Sequence, residues 1–263
     1  MDPKPILISE SNLSLAWVNA IRYLKAKPKE REQPLVVSFQ GVSVGEVEED
    51  ENIRDCLDNN LKEKNSLTVN QVSYTIFPND LWTFSLRNSK SREEFFSDYI
   101  NRILPKMKKR DKRNMYGTYF QRMIQYNGAS HDSIKSVDQL SHVINMLTKK
   151  KHSRASSLQI TIFDPAKDHT NQPVRGFPCL QQIGLSYSKD ALVINAFYPT
   201  QYMIEKAYGN YLGLAQLGQF ISHETGLSVK GINVFITNPK LQMPMPKSFW
   251  DAINKITNTI NEI

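Results

Sequence analysis

The pattern of hydrophobic and polar positions divides the chain into strands and helices. Alternating or short apolar runs predict strands, because successive side chains on a strand point to opposite faces. These runs are 35–39, 67–77, 158–163, 180–187, 192–198 and 231–237. Apolar positions three and four residues apart predict amphipathic helices. Such helices are predicted at 52–61, 93–107, 137–147, about 205–223 and 249–263.

The order of these elements indicates the fold class. The helix near 205–223 is apolar over a broad face, which is typical of a helix at the centre of a core. Gly226 suits its end, because glycine readily adopts the left-handed conformation that closes a helix. Strands and helices are mixed without strict alternation, which favours one α+β domain over a doubly wound sheet. A length of 263 residues with 40% hydrophobic composition suffices for one large domain or two small ones.

Composition excludes several classes of protein. No apolar run is long enough to cross a membrane, and the first ten residues lack the basic and apolar regions of a signal peptide. We therefore expect no membrane partner. The two cysteines, Cys56 and Cys179, are far apart, so we expect no disulfide framework and a reducing, cytoplasmic location. Histidines and cysteines show no metal-ligand spacing, so we expect no metal.

The positive charge is concentrated in two runs. The formal net charge is +7, and basic residues cluster at 106–113 and 149–154. Such runs can meet the phosphates of a nucleotide or a nucleic acid, or they can be solvated helix ends. No RRM, KH, zinc-finger or helix-turn-helix motif is present. Nucleic acid is therefore a possible partner without support from a motif.

The segment 176–217 carries the candidate chemistry. Cys179 follows a proline and precedes a predicted strand, and Asn210 lies near the start of the long apolar helix. A lone cysteine and an amide, without a Ser/His/Asp set, suggest covalent chemistry on a ring that the amide can read. The alternatives are a packed thiol at Cys179 and an ordinary polar residue at Asn210. Cys56 lies on the apolar face of its helix, which favours a packed thiol.

The order of four motifs resembles thymidylate synthase and the related pyrimidine (deoxy)nucleotide hydroxymethylases. These motifs are MYGTYFQRM at 115–123, DQLSHVINMLTKKKHSRAS at 138–156, FPCLQQIGLSY at 177–187 and YGNYLGLAQL at 208–217. The best-matching core is 137–240, and 1–110 is a divergent N-terminal part. The resemblance implies that 1–263 form a single domain like that of the family, with a long central helix on a mixed β-sheet.

The resemblance also implies roles for particular residues. Cys179 would be the nucleophile, Asn210 would read the pyrimidine edge, and Arg154 would reach the phosphate bound by a neighbour in a homodimer. Four further residues are expected to bind substrate. Arg122 and Tyr116 would line the site, Lys240 would meet the sugar or phosphate, and Asp168 would place an acid there. A nearby cation, Arg154 or Arg122, would favour the thiolate.

The chain departs from the family at several of its binding positions. Ala155 replaces a second arginine, Leu180 replaces the histidine after the cysteine, and Pro199 occupies the place of the main phosphate arginine. Tyr202 stands where the family has an aspartate that contacts folate. The family's active-site glutamate has no assigned counterpart. Recognition of phosphate, sugar and folate is therefore expected to be altered.

Three functions follow from these observations. The first is transfer of a methyl or hydroxymethyl group to carbon 5 of a pyrimidine nucleotide or nucleoside, with methylene-tetrahydrofolate as the donor. The second is a catalytically degenerate relative that binds a nucleotide or assembles with partners. The third is nucleic-acid binding through the basic runs. The retained Cys179 favours the first.

Overall fold

Helices and one large mixed sheet make up the chain, as the sequence predicts for an α+β protein. The computed structural model describes residues 4–27, 33–127, 136–149, 154–169, 178–242 and 245–261, without the side chains of residues 113 and 259–261. Helix accounts for 56% and strand for 22%. Within those ranges, no helix combines the length and the apolar content that a membrane span requires.

Eight strands are present in the described ranges. In chain order they are β1 (Ile6–Glu10), β2 (Leu35–Phe39), β3 (Val42–Ser43), β4 (Glu46–Val47), β5 (Gln159–Thr161), β6 (Gln182–Ser188), β7 (Ala191–Tyr202) and β8 (Ser228–Lys240). Six of them form one sheet in the spatial order β1-β2-β8-β7-β6-β5, and β3 and β4 form a small hairpin. The pairs β1–β2 and β7–β8 are parallel, and the other pairs are antiparallel.

The helices surround this sheet. They are α1 (Leu13–Ala26), α2 (Glu51–Glu63), α3 (Val69–Ile76), α4 (Asn79–Arg87), α5 (Arg92–Asp98), α6 (Leu104–Arg110), α7 (Tyr119–Ile124), α8 (Gln139–Lys149), α9 (Pro165–Asp168), α10 (Tyr208–Thr225) and α11 (Lys247–Asn261). A π-helical turn, Tyr99–Ile103, joins α5 to α6, and another, Met203–Ala207, leads into α10.

Helix α10 is the buried centre of the fold, as its broad apolar face predicts. Its packing against α3 requires two glycines. A Cβ atom at Gly209 would lie 2.6 Å from the Val72 Cβ, and one at Gly213 would lie 2.8 Å from the Ser73 carbonyl oxygen. Both distances are shorter than a real Cβ contact, so the two helices approach closely only because these side chains are absent. Gly226, with a φ of 73°, ends the helix as predicted.

One predicted element is wrong. The sequence predicts an extended segment at 67–77, but Val69–Ile76 is the helix α3. Thr68 and Gln71 form a capping box at its start, with each side chain bonded to the other residue's backbone amide. The buried positions Val69, Val72, Ser73 and Ile76 have helical spacing, whereas the β-branched composition of the segment favours a strand.

The other predicted strands and helices are present with shifted bounds. The strand predicted at 231–237, for example, extends over the thirteen residues of β8. Two N-terminal elements, β1 and α1, lie outside the predicted set. Helix α1 begins at Leu13, where Asn12 caps it by accepting a hydrogen bond from the Leu15 amide at 3.0 Å.

The first basic run closes a helix. Lys108, Lys109 and Arg110 occupy the last turn of α6, where positive charge interacts favourably with the helix dipole. Lys109 and Arg110 are exposed to solvent. This placement matches the alternative of a solvated helix end. Of the second run, only Lys149 and Arg154 lie within the described residues.

Candidate functional site

Cys179 lies three residues before β6, and the backbone that follows it is held in place by hydrogen bonds. Two of these bonds fix Gln181 between β7 and the segment after β5. Its amide donates to the Phe197 carbonyl oxygen at 3.0 Å, and its own carbonyl accepts from the Ile162 amide at 2.8 Å. Cys179 itself is half-buried and packs against the hydrophobic core. Its thiol is therefore held in place by the sheet and remains partly accessible.

Burial and two neighbours set the ionisation of this thiol. Burial raises the pKa of Cys179, while the positive charge of Lys206 and a hydrogen bond from the Tyr119 hydroxyl act in the opposite direction. The net pKa is above that of an ordinary thiol. Lys206, in the π-helical turn before α10, is thus a cation that acts on Cys179. The sequence suggests Arg122 or Arg154 for this role.

Tyr119 bridges α7 and the cysteine. Its oxygen accepts hydrogen bonds from the backbone amides of Cys179 and Leu180, and burial raises the pKa of the phenol. The side chain is half-buried. Tyr119 therefore stays protonated at neutral pH and can donate its proton to a hydrogen bond with the Cys179 sulfur.

A second group of polar side chains lies beside the cysteine. The Tyr211 hydroxyl, at the start of α10, donates to Gln201 Oε1 at 3.2 Å. Tyr198 lies near both groups, because its phenol interacts electrostatically with Tyr119, with Tyr211 and with Cys179. We call these residues the Cys179 cluster: Tyr119, Cys179, Tyr198, Gln201, Lys206 and Tyr211.

Two atoms in the Cys179 cluster have no hydrogen-bond partner in the part of the chain that is described. They are the Tyr198 hydroxyl and the Gln201 Nε2, and both are deeply buried. Tyr198 is 0% exposed and Gln201 is 1% exposed. Sequence reasoning missed both residues, and it missed Lys206. No sequence motif contains these three residues. Whether a buried group has a hydrogen-bond partner depends on how distant segments pack, which a local sequence pattern does not show.

Asn210 lies next to this cluster along the chain. It occupies the first turn of α10, one residue before Tyr211, and is 3% exposed. Burial of an amide requires hydrogen-bond partners, so Asn210 is suited to reading a ligand edge or to a structural role. The π-helical turn and the first turn of α10 thus place Asn210 and two members of the Cys179 cluster within six residues, Lys206 to Tyr211.

Arg122 and Asp168 are brought together, but as an ion pair. Arg122 Nη2 donates to Asp168 Oδ1 at 2.8 Å, and Nη1 donates to Asp168 Oδ2, so the pair is bidentate. Nη1 also donates to the Ile162 carbonyl oxygen at 2.8 Å. The two side chains are only 12% and 6% exposed. The Arg122 charge is therefore already compensated within the protein, and the pair ties α7 to the segment after β5.

Three other predicted residues lie at the surface. Tyr116 is 53% exposed, and its carbonyl oxygen accepts from Arg122 Nη2 at 3.2 Å. Arg154 is exposed just before the short 3-10 turn Ala155–Ser157. Lys240 is exposed at the end of β8, where it pairs with Tyr202. No described contact joins Arg154 or Lys240 to the Cys179 cluster.

One face of the main sheet, opposite α10, is uncovered by the described helices. On this open sheet face, the register aligns Leu7, Val36, Phe235 and Phe197 across four neighbouring strands. Phe197 and Phe235 stack with ring centroids 5.8 Å apart, and they are 36% and 37% exposed. A row of polar residues runs alongside, where Asn233 donates to Asn195 Oδ1 at 2.9 Å.

A shallow concavity of about 460 Å³ lies on the open sheet face. Phe197 and Phe235 form its apolar side, Gln159 and Gln182 form part of its polar side, and Ala155 stands at its rim. The concavity is therefore separate from the Cys179 cluster. Arg154, adjacent to Ala155 in the chain, lies beside it.

Comparison with known proteins gives this chain no family. No protein-family model and no curated protein matches its sequence. Within the described ranges, no group of three or more His, Cys, Asp or Glu side chains is arranged to hold a metal ion. Any function must therefore be inferred from the Cys179 cluster, Asn210 and the order of the sequence motifs.

Proposed function

We propose that the protein binds a pyrimidine nucleoside or nucleotide and that Cys179 is the nucleophile of a C5 methyl or hydroxymethyl transfer. One observation carries the proposal: a partly accessible cysteine at the entrance to the sheet is hydrogen-bonded to a phenol, Tyr119, and interacts electrostatically with a cation, Lys206. Asn210 and the unpaired groups of the Cys179 cluster add neutral donors and acceptors beside it. This combination suits a neutral heterocyclic ring better than a highly charged ligand.

The chemistry begins with addition to the ring. Carbon 5 of a pyrimidine is a poor nucleophile, and a sulfur–carbon bond at carbon 6 moves the electrons of the 5,6 double bond toward carbon 5 and the 4-carbonyl oxygen. Hydrogen-bond donors stabilise the negative charge on that oxygen. Since burial raises the pKa of Cys179, the resting thiol is protonated at neutral pH. The thiol proton therefore leaves the sulfur for solvent as the sulfur–carbon bond forms, and Lys206 favours the thiolate.

Folate recognition does not fit the residues present. The resemblance places Tyr202 where a carboxylate would contact folate, and a phenol lacks the negative charge of that group. Tyr202 is 46% exposed and pairs with Lys240 at the end of the sheet. Attack of Cys179 on the pyrimidine ring is therefore the part of the reaction that these residues support. Methylene-tetrahydrofolate remains a prediction from the resemblance.

A non-catalytic relative is the second candidate function. Two observations favour it: the pKa of Cys179 is raised rather than lowered, and Arg122 is neutralised by Asp168. A site of this kind would still bind the ring through Asn210 and the Cys179 cluster. It would form no covalent bond to it.

Intact-mass measurement distinguishes these two functions. The wild type is incubated with 5-fluoropyrimidine nucleosides and nucleotides, with and without methylene-tetrahydrofolate. Transfer chemistry predicts an adduct on the wild type and on Cys56→Ser, but none on Cys179→Ser. Cys56 is a suited control, because it is also a half-buried thiol whose pKa burial raises. Binding without an adduct would favour the non-catalytic relative, and absence of binding would contradict both functions.

Phosphate binding provides a separate prediction. Pro199 carries no charge and no amide proton, so it cannot hold a phosphate as an arginine does. Its carbonyl oxygen instead accepts from Asn238 Nδ2 at 3.0 Å. Loss of one charge-assisted contact of about 1.5–3 kcal/mol lowers affinity about tenfold to a hundredfold. We expect calorimetry to show weak binding of dUMP, and no better binding than of deoxyuridine. Low-micromolar binding of dUMP, lost in Cys179→Ser but unchanged in Lys240→Ala, would contradict this expectation.

We also propose that the protein is a homodimer joined through the open sheet face. The apolar row that contains Phe197 and Phe235 presents side chains that a second copy of the same face can cover. Arg154 lies beside this face, a position from which it can reach a neighbouring subunit. The partner role that the resemblance gives Arg154 is compatible with this position.

A further inference from the structure

The Tyr198 hydroxyl and the Gln201 amide nitrogen are among the buried polar atoms without a hydrogen-bond partner in the described residues. A buried polar group without a partner costs free energy, so folded proteins satisfy nearly all of them. Here two such groups, the Tyr198 hydroxyl and Gln201 Nε2, occur within four residues of one strand. Both belong to the end of β7 that lies closest to Cys179.

Register places Tyr198 diagonally across from the cysteine. The β6–β7 ladder pairs Gln182 with Phe197, and the Gln181 amide continues it by donating to the Phe197 carbonyl at 3.0 Å. Continuing the antiparallel pairing sets Tyr198 across from Gln181, two residues beyond Cys179. The electrostatic interaction of the Tyr198 phenol with Cys179 agrees with this placement.

The hydrogen bond from Tyr211 fixes the direction of the Gln201 amide. Because Gln201 Oε1 accepts from the Tyr211 hydroxyl at 3.2 Å, its NH₂ group is left as a donor. The Tyr198 hydroxyl can donate as well. The Tyr198 phenol interacts electrostatically with Tyr211, the residue to which Gln201 is bonded, so both donors lie in the neighbourhood of Tyr211. Two neutral donors that lack an acceptor among the described residues match a carbonyl oxygen, whose two lone pairs can accept both.

We propose that Tyr198 and Gln201 form a subsite for a ring carbonyl oxygen of the ligand that Cys179 contacts. The ligand class is a neutral, carbonyl-bearing heterocycle, and in a pyrimidine the oxygen is the 4-carbonyl. The identity of the ring rests on the proposed function. The subsite itself is defined by the two unpaired donors, and these can donate to a carbonyl oxygen of any such heterocycle. Tyr198 and Gln201 are thus specificity-determining residues that no sequence motif marks.

Replacement of Tyr198 by phenylalanine tests the subsite. Tyr198→Phe removes only the unpaired hydroxyl, so the ligand-free variant should melt at the wild-type temperature or above it. Its affinity for uridine, measured by calorimetry, should fall about fivefold to tenfold. Affinity for the ribonucleoside of pyrimidin-2-one, which lacks the 4-carbonyl, should be equal in the variant and the wild type. Gln201→Met is the second variant, expected to show the same selective loss.

Tyr99→Phe is the matched control. Tyr99 is equally buried, but its hydroxyl is paired with Thr118 Oγ1 at 2.6 Å. Its replacement should lower the melting temperature and leave uridine affinity unchanged. This opposite pattern separates a loss of structure from a loss of ligand contact.

The outcomes separate the subsite from the proposed function. If inosine, whose purine ring carries one carbonyl, shows the Tyr198-dependent affinity and uridine does not bind, the subsite stands and the pyrimidine function fails. Affinities that do not depend on Tyr198, or a wild type that binds neither nucleoside, would overturn the subsite. A crystal structure with uridine in which a water alone bridges Tyr198 and Gln201 would also overturn it.

Discussion

At the scale of residues, the ionisation of Cys179 controls its reactivity. Burial raises the pKa of the thiol, so alkylation by iodoacetamide should be slow at pH 7 and accelerate as the pH rises toward that pKa. Lys206→Met removes the charge that opposes the shift. The midpoint should move to higher pH, and the rate at pH 7 should fall about threefold to tenfold. Peptide mass spectrometry separates Cys179 from Cys56.

Lys240→Met is the control for this measurement. Lys240 is exposed at the end of β8, with no described contact to the Cys179 cluster. Its replacement should leave the pH profile of alkylation unchanged. A profile that Lys206→Met fails to move would show that Lys206 does not act on the thiol.

A second residue-scale prediction concerns Asn210. Its amide offers one donor and one acceptor, which match the 3-NH and a neighbouring ring carbonyl of uracil, or cytosine after rotation of the amide. Asn210→Asp should shift the preference between uridine and cytidine by about 1–3 kcal/mol, as for a buried polar mismatch. Calorimetric titration of both nucleosides measures this shift. Equal losses for both would indicate a structural role for Asn210.

The sequence identified some site residues and missed others for a physical reason. Cys179 and Asn210 stand out by residue type and by their places before a strand and in a helix. Lys206, Tyr198 and Gln201 carry no such signal, because their roles arise from contacts between separate segments. Arg122 shows the converse: its position suggested a ligand contact, whereas the fold pairs it with Asp168.

At the scale of elements, the contact between α10 and α3 depends on absent side chains. Gly213→Ala places a Cβ atom 2.8 Å from the Ser73 carbonyl oxygen and 2.8 Å from the Ile76 Cβ. Neither neighbour is the flexible end of a side chain, so the helices must separate. We expect a loss of about 1–3 kcal/mol in the free energy of unfolding, measured by urea denaturation.

Gly218→Ala is the matched control on the same helix. Its Cβ would meet the Ile194 Cδ1 at 2.9 Å, the mobile end of a side chain that can turn away. The gain in helix propensity, about 1 kcal/mol, offsets much of that cost. Equal losses for the two variants would mean that the α10–α3 contact is not the sensitive one.

The sequence predicts strands and helices correctly where its apolar positions recur at a clear period of two residues or of three to four residues. The alternating runs that became β6, β7 and β8 and the apolar face of α10 specify their structure locally. The segment 67–77 failed because its valine, threonine and isoleucine residues favour strands. Its capping box at Thr68 and its contact with α10 decided the outcome instead. Tertiary packing therefore overrode intrinsic preference in α3.

At the scale of the whole molecule, the open sheet face is the surface of the proposed dimer. Phe235→Lys introduces a charge into the apolar row beside Phe197, so it should convert the proposed dimer to a monomer. Leu86→Lys is the control, since Leu86 is similarly exposed, at 41%, on α4. Sedimentation velocity at micromolar concentration measures both variants. A wild type that sediments as a monomer would contradict the dimer.

The position of β8 in the sheet also constrains folding. This strand is near the end of the chain, yet it lies between β2 and β7 and pairs with both, for example Ile236 with Leu35. Until residues 228–240 are synthesised, β1–β2 and β5–β7 are two separate sheets with unprotected edges. Such long-range pairing makes folding slow, and exposed edges favour aggregation. A chain truncated before Ser228 should therefore be a client of chaperones rather than a partly folded, stable fragment.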